Sequence, residues 1–428
     1  MKITKLTMRI LTVLFWFVSF FPIVVFGQEV LGNKVFEENI QTVQLYRSGG
    51  NMSAQMNAPV IALGSGGLIL EFDDLAYEPD RYSATLIHCD ADWTPSGLKA
   101  ADYLSRFNEF NITEYDYSIN TRVPYVHFTF PVPQVTKSGN YILKVYRGRN
   151  EDEVIITRRF MVYQDQAKVG VQLLPPTMSE DRMSGQQIDV LVNYGARELK
   201  NPLENVQVVV RQNQRWDNAK VGGKPSFIRH DKSQLEYRFF AGENIFEAGN
   251  EFRFIDLRYV RTTGRNIVSV DMKDDVVYAS TAINEPRSTT SYLEYLDLNG
   301  QYVVENQERG NPKLESEYVL VTFRADMGEV AGEPFIFGAL TNWGQSAQAI
   351  MTKNASSGDY RTSLLLKQGW YDYQIAVKKE GKWNTAFMEG SHFQTENEYD
   401  VLVYYRDFGS RYDELIGYTA INANKRRF

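Results

Sequence analysis

The sequence predicts an all-β protein built as sandwich modules in series. Two observations carry this. Short runs with apolar residues at every second position recur from about residue 40 to residue 405, with turn residues between them. Helical spacing surfaces in one place, at Ala100, Tyr103, Leu104 and Phe107, where Ser96 is the expected cap. Length then sets the number of modules. The 428 residues hold two to four domains, at about 100–200 residues each. A hydrophobic content of 43% is enough to give them cores.

The first 27 residues precede the modules. Lys2, Lys5 and Arg9 come before an apolar run from Ile10 to Phe26, the order found in a secretory signal peptide. Val25-Phe26-Gly27 has the residue types of a cleavage site, so the cut is expected between Gly27 and Gln28. The competing reading is an uncut membrane anchor, because the run is almost long enough to span; Pro22 and Gly27 favour cleavage. No cysteine follows the run, which rules out lipoprotein processing. Export to the periplasm is the expectation. Losing the leader leaves 43 basic residues against 53 acidic ones and moves the formal charge from −7 to −10. An acidic chain without a basic tract speaks against nucleic acid or an anionic membrane surface as partner. Cys89 stands alone, so the exported chain holds no internal disulfide.

The first module is expected over residues 28–165, with strands near 42–47, 67–72, 81–88, 124–130, 141–146 and 154–162. Tyr141, Leu143 and Val145 alternate with Ile142, Lys144 and Tyr146, the period of a strand with one buried face. Ser138-Gly139-Asn140 and Gly148-Arg149-Asn150 are the turns on either side. The polar Gln164-Asp165-Gln166 marks a boundary. A second module is expected over 166–285, with strands near 186–194, 206–212, 234–240, 251–260 and 275–280. Within it, Gly249-Asn250 supplies residues that accept positive φ. The runs 235–240 and 251–256 are therefore expected to form a hairpin. Pro286 and the polar residues after it open a third module over 286–428, with strands near 318–323, 335–337, 360–366, 371–377 and 399–405.

Candidate chemistry is sparse. His88-Cys89-Asp90-Ala91-Asp92 contains zinc-ligand types. Neighbours on a strand point to opposite faces, however, so His88 and Cys89 do not converge without a turn. The expected role is structural. Cys89 is then a small buried residue at a strand end, Asp90 or Asp92 caps the next turn, and Trp93 packs beneath it. His127, His230 and His392 fall in no metal spacing. There is no Gly-x-Ser-x-Gly elbow, no His-Glu-x-x-His and no phosphate-binding loop. Gly64-Ser-Gly-Gly67 precedes a strand rather than a helix, so it lacks a helix N-terminus for an anion. No catalytic residue, metal or cofactor is expected. Phe428 ends the chain, as in many outer-membrane barrels, but Asn424 and Arg426 share its side, which a lipid-facing strand does not allow.

Four runs carry a family resemblance. They are Ile87-His-Cys-Asp-Ala-Asp-Trp-Thr-Pro-Ser96, Asn111-Ile-Thr-Glu-Tyr-Asp-Tyr-Ser-Ile-Asn-Thr121, Lys137-Ser-Gly-Asn-Tyr-Ile-Leu-Lys-Val-Tyr146 and Asn244-Ile-Phe-Glu-Ala-Gly-Asn-Glu-Phe-Arg-Phe-Ile-Asp256. In this order they resemble the plug protein family of the type IX secretion system. The resemblance implies a non-enzymatic periplasmic plug at the inner side of the outer membrane. Its partner would be the translocon barrel, whose pore it would occlude. The signature residues His88, Cys89, Asp92, Trp93, Asn244, Gly249, Asn250, Phe252 and Asp256 are expected to be structural. The third module is similar to the starch- and glycogen-binding branch of the immunoglobulin-like fold. It shares Gly338-Ala-Leu-Thr-Asn-Trp343, Gly369-Trp-Tyr-Asp-Tyr373 and Gly381-Lys-Trp383. The alternative function is therefore carbohydrate binding in the periplasm or at the surface, with Trp343, Trp370 and Trp383 stacking on sugar; the competing reading makes them core residues and is favoured for at least one of them.

Overall fold

A computed structural model describes residues 32–424 apart from 51, 179, 196 and 239–241. The expected cleavage site at Gly27 and Gln28 lies outside the described residues. The architecture is all-β: three sandwiches, each of two sheets, almost entirely antiparallel.

The first sandwich pairs Tyr82–Cys89 and Val154–Tyr163 on either side of Gly139–Arg147, with Phe110–Ile112 and Lys34–Val35 at the two ends. Val60–Ala62 adds to Val154–Tyr163 in parallel. The facing sheet runs Ile40–Arg47, Leu68–Asp74, Val126–Pro131, Glu114–Tyr117. Leu70, Phe72, Leu86, Phe128, Leu143 and Val145 fill the space between. Each such side chain contributes about 1.5–3 kcal/mol of burial. Tyr141, Leu143 and Val145 do face this core. Ile142 is buried too, because the opposite face packs against the second sandwich. The expected helix is a single turn, Ala100–Tyr103. Lys99, not Ser96, precedes it, and its N–H is bonded to the Asp102 carboxylate at 2.8 Å. Leu104 is already extended and Phe107 is exposed, so the helical spacing does not continue. Ser96 is instead engaged by His88, whose Nδ1 lies 2.8 Å from its hydroxyl.

The second and third sandwiches do not follow one another along the chain. One sheet of the second runs Lys168–Leu174, Gly185–Asn193, Gln234–Tyr237, Phe227–Arg229, and Ile245–Glu247 also pairs with Gly185–Asn193. The facing sheet runs Lys220–Gly222, Val206–Gln212, Asn397–Tyr405, Glu414–Ala423. Strands from near the end of the chain thus complete a core begun at Ala167: Val208 and Val210 pack with Tyr399, Val401 and Val403. The third sandwich lies between them. Gly369–Lys379 is its longest strand and pairs with Arg253–Asp256, Tyr302–Val304, Glu333–Phe337 and Lys382–Asn384. The facing sheet runs Ile267–Met272, Val277–Asn284, Tyr318–Ala325, Tyr360–Lys367, Thr352–Lys353.

Two expectations differ from this topology. The hairpin does not form. Gln234–Tyr237 pairs with Gly185–Asn193, and Arg253–Asp256 pairs with Gly369–Lys379. Gly249 does adopt φ +66°, but the bend carries the chain from one core to another: Leu235 and Tyr237 are buried in the second, Ile255 in the third. The serial division at 285 and 286 likewise does not follow the sheets. Val277–Asn284 and Tyr318–Ala325 are parallel neighbours within one sheet. Residues 397–423 share the core of 167–246.

Candidate interaction surface

The functional candidates fall into three sites where sandwiches meet and one open edge. At the first junction, the run from His88 to Trp93 ends the strand Tyr82–Cys89 and turns against the second sandwich. Cys89, Ala91, Trp93, Ile142 and Met161 pack on Val209, Leu402, Tyr404 and Leu415. Burial pushes the Cys89 thiol up to about 12, so it stays protonated at neutral pH. His88 points elsewhere, into a cage of Tyr103, Tyr141 and Tyr412, with Nε2 3.0 Å from the Ser138 carbonyl. Burial lowers its pKa. Gly139 leaves room for this ring: a Cβ there would lie 2.5 Å from Nε2. Asp92 closes the turn by accepting the Thr94 N–H at 3.0 Å and its hydroxyl at 2.6 Å. Trp93 packs edge-on to Trp216, and the Arg159 guanidinium lies 4.4 Å over its ring. The ligand types of this run are therefore spread apart. Among the described residues no cluster of three or more His, Cys, Asp or Glu is placed to hold a metal.

At the second junction the chain crosses twice. It leaves the second sandwich through 248–252 and returns through 389–397. The crossings are bonded to each other. The Gly249 N–H donates to Ser391 Oγ at 3.0 Å, and the His392 N–H donates to the Gly249 carbonyl at 2.8 Å. Asn250 Nδ2 donates to the Glu389 carbonyl and Asn397 Nδ2 to the Ala248 carbonyl, both at 2.8 Å. Asn244 anchors the approach through the Ile188 carbonyl at 2.5 Å. Phe252 lies edge-on to Trp343, and Asp256 pairs with Arg258 at 2.8 Å. Every signature residue of this run thus has a local bond or packing contact.

Buried carboxylates surround that crossing, and their charges are set in opposite senses. Burial would raise the pKa of Glu389, but Arg253 and Arg287 grip it at 3.0 and 2.6 Å and hold it below the usual range. Glu251, Asp297 and Asp372 have backbone and side-chain donors instead. Burial raises all three, Asp372 to about 7, and Asp372 and Glu251 push Asp297 further up.

The first and third sandwiches meet over another buried ionic group. Asp73 Oδ2 receives Lys367 Nζ at 2.6 Å and the Tyr318 hydroxyl at 2.7 Å. Its Oδ1 lies 2.7 Å from His127 Nδ1. Burial works against the charge on Asp73, yet Lys367 and His127 override it and lower its pKa. Burial also opposes the charged imidazole, but Asp73 and Glu71 raise His127 above its ordinary value. None of these residues stood out in the sequence; a lysine or aspartate near a strand end looks the same whether solvated or enclosed.

The three C-terminal tryptophans do not make one platform. Trp370 is stacked on Phe254, centroids 4.3 Å apart, and its Nε1–H donates to Asp372 at 3.0 Å. Trp343 and Trp383 pack on Phe337 at 5.3 and 4.7 Å. All three are half-buried, each with at least one aromatic partner inside the fold.

One resembling run behaves differently. Within 111–121, the strand Glu114–Tyr117 pairs, among the described residues, only with Val126–Pro131 and lies at the end of its sheet, and all four residues are exposed. Packing accounts for the other three runs and, in this one, for Ile112, and a backbone bond accounts for Ile119; the exposure of Glu114–Tyr117 is left unexplained.

The family model of the first domain of the type 9 secretion system plug protein matches residues 40–164, the first sandwich almost from end to end. The fold of nearly the whole chain has a solved counterpart. A hypothetical protein from Parabacteroides merdae, known from its crystal structure, is 28% identical, with a TM-score of 0.86 over 91% of this chain and 99% of that one. No curated protein matches in sequence. The first sandwich is therefore a first domain of the type IX secretion system plug family, and it ties the chain to that export system.

Proposed function

We propose that the protein is a non-enzymatic periplasmic plug that occludes the pore of the outer-membrane translocon of the type IX system. The observation that carries this is the family match over 40–164. The architecture supports it. Three sandwiches joined pairwise through buried junctions form a body that keeps its shape, so docking costs little in ordering entropy. A specific closure should bury on the order of 1,200–2,000 Å². Release for cargo requires that a second state lie close in free energy.

Co-purification tests the reading. Tagged mature protein should retain the translocon barrel when other partners are removed, and conductance through the isolated barrel should fall on its addition. A barrel that never co-purifies, or whose conductance is unchanged, overturns the plug assignment.

A further inference from the structure

We propose that the open edge of the first sandwich, Glu114–Tyr117, accepts an added β-strand from a partner protein, one carrying basic residues at every second position with apolar residues between.

The backbone offers the first half of the argument. Ser118 N–H donates to the Tyr125 carbonyl at 2.9 Å. In an antiparallel ladder, alternate residues turn their polar groups to the same neighbour. Glu114 and Asp116 therefore bond inward, and the N–H and C=O of Tyr115 and Tyr117 face away from the sheet. That is a template for one more strand.

Side chains choose the occupant. Tyr115 and Tyr117 lie on one face, ring centroids 6.0 Å apart, with Tyr115 also against Phe128. They are 43% and 48% exposed. Tyr117 donates to the Glu78 carboxylate at 3.5 Å. Glu114 and Asp116 occupy the other face, both exposed. Among the described residues no cation pairs with Glu78, Glu114 or Asp116 within salt-bridge distance. An incoming strand thus meets an aromatic lip on one face and bare carboxylates on the other. Alternating Lys or Arg with Val or Ile satisfies both at once. A second copy of this edge does not, since it sets acid against acid. The bland reading of a short charged edge is protection against aggregation; it explains the carboxylates but not the exposed tyrosines beside them. As the docking site of a plug the edge rests on the function proposed above. As a strand acceptor it is tested without it.

The test uses the mature full chain and two peptides, Lys-Val-Lys-Val-Lys-Val and Glu-Val-Glu-Val-Glu-Val. Amide hydrogen exchange at Tyr115 and Tyr117 should slow by about tenfold with the basic peptide and stay within about twofold with the acidic one. Tyr117→Pro removes an outward N–H without breaking a bond inside the sheet, so it should abolish the slowing. The double variant Glu114→Lys/Asp116→Lys keeps the backbone edge and should reverse the peptide preference, which preserves the test if the proline variant fails to fold. No slowing, equal slowing by both peptides, or equal slowing at the edge strands Lys168–Leu174 and Ile267–Met272 overturns the proposal. If wild type retains the translocon and the charge-reversed variant retains it equally, the edge is not the docking site, while the plug reading stands.

Discussion

The junctions of this molecule are built on two different principles. Where the first sandwich meets the second, the centre is apolar and aromatic, Cys89, Trp93 and Ile142 against Leu402, Tyr404 and Leu415, with polar contacts such as Arg406 to Asp90 at 2.6 Å around it. Where the first meets the third, the centre is a buried aspartate held by a lysine, a histidine and a tyrosine. Apolar contact is insensitive to pH and tolerant of direction. A buried ion pair adds little net stability when intact, yet losing one partner leaves an uncompensated charge. The first joint supplies attachment, and the second fixes the relative position of the modules.

The largest expected effect comes from breaking the ionic joint. Lys367→Met leaves buried Asp73 with His127 as its remaining cationic partner and should destabilise the fold by about 3–5 kcal/mol in urea melts. The double variant Lys367→Met/Asp73→Leu should recover part of the loss; no recovery would mean that the joint does not work as an ionic unit. At the apolar joint, Leu402→Ala should cost about 2–4 kcal/mol at every pH from 5 to 8. A pH-dependent loss there would erase the distinction between the joints.

Acid–base behaviour sharpens the comparison further. Asp372 and His127 have folded pKa values above their unfolded ones. Their contribution to stability is full below the unfolded value and is lost as pH rises through the folded value, which for Asp372 is about 7. Glu389 and Asp73 are shifted down, so their contribution is lost as pH falls. Stability should therefore peak in mild acid and decline by on the order of 2 kcal/mol towards pH 8. Asp372→Asn should flatten the alkaline side of that curve, measured by thermal melts across pH. An unchanged curve would remove Asp372 from the explanation.

The smallest effects belong to single hydrogen bonds and small side chains. Asn250→Ala frees the buried Glu389 carbonyl and should cost about 1–2 kcal/mol, with faster exchange confined to the two crossings. Cys89→Ala should cost about 1 kcal/mol or less.

Local pattern carried the reading of strands and of the turn at Asp92, because alternation and Asx geometry act over a few residues. Strand order was not legible. Val206–Gln212 finds its partner in Asn397–Tyr405, and no pattern inside either strand names the other. The hairpin failed for the same reason: Gly249 encodes a bend, not a destination. Charged junctions were hidden by distance too, since Asp73 and Lys367 are 294 residues apart. The tryptophans show the same limit. Their spacing resembles that of sugar-binding folds, and only three dimensions show Phe254 and Phe337 packed against their rings.

The double crossing at 248–252 and 389–397 has a mechanical consequence. A terminal domain on one strand of chain can swivel or be tugged loose like a pendant. The third sandwich is fastened by both of its ends at one place, and those ends are bonded to each other. Because the Asp73–Lys367 joint also holds it to the first sandwich, it cannot swing about the crossing, and twisting it strains two covalent strands together. A load applied to it passes through the crossing into the sheet containing Asn397–Tyr405 and through the Asp73–Lys367 joint into the first sandwich.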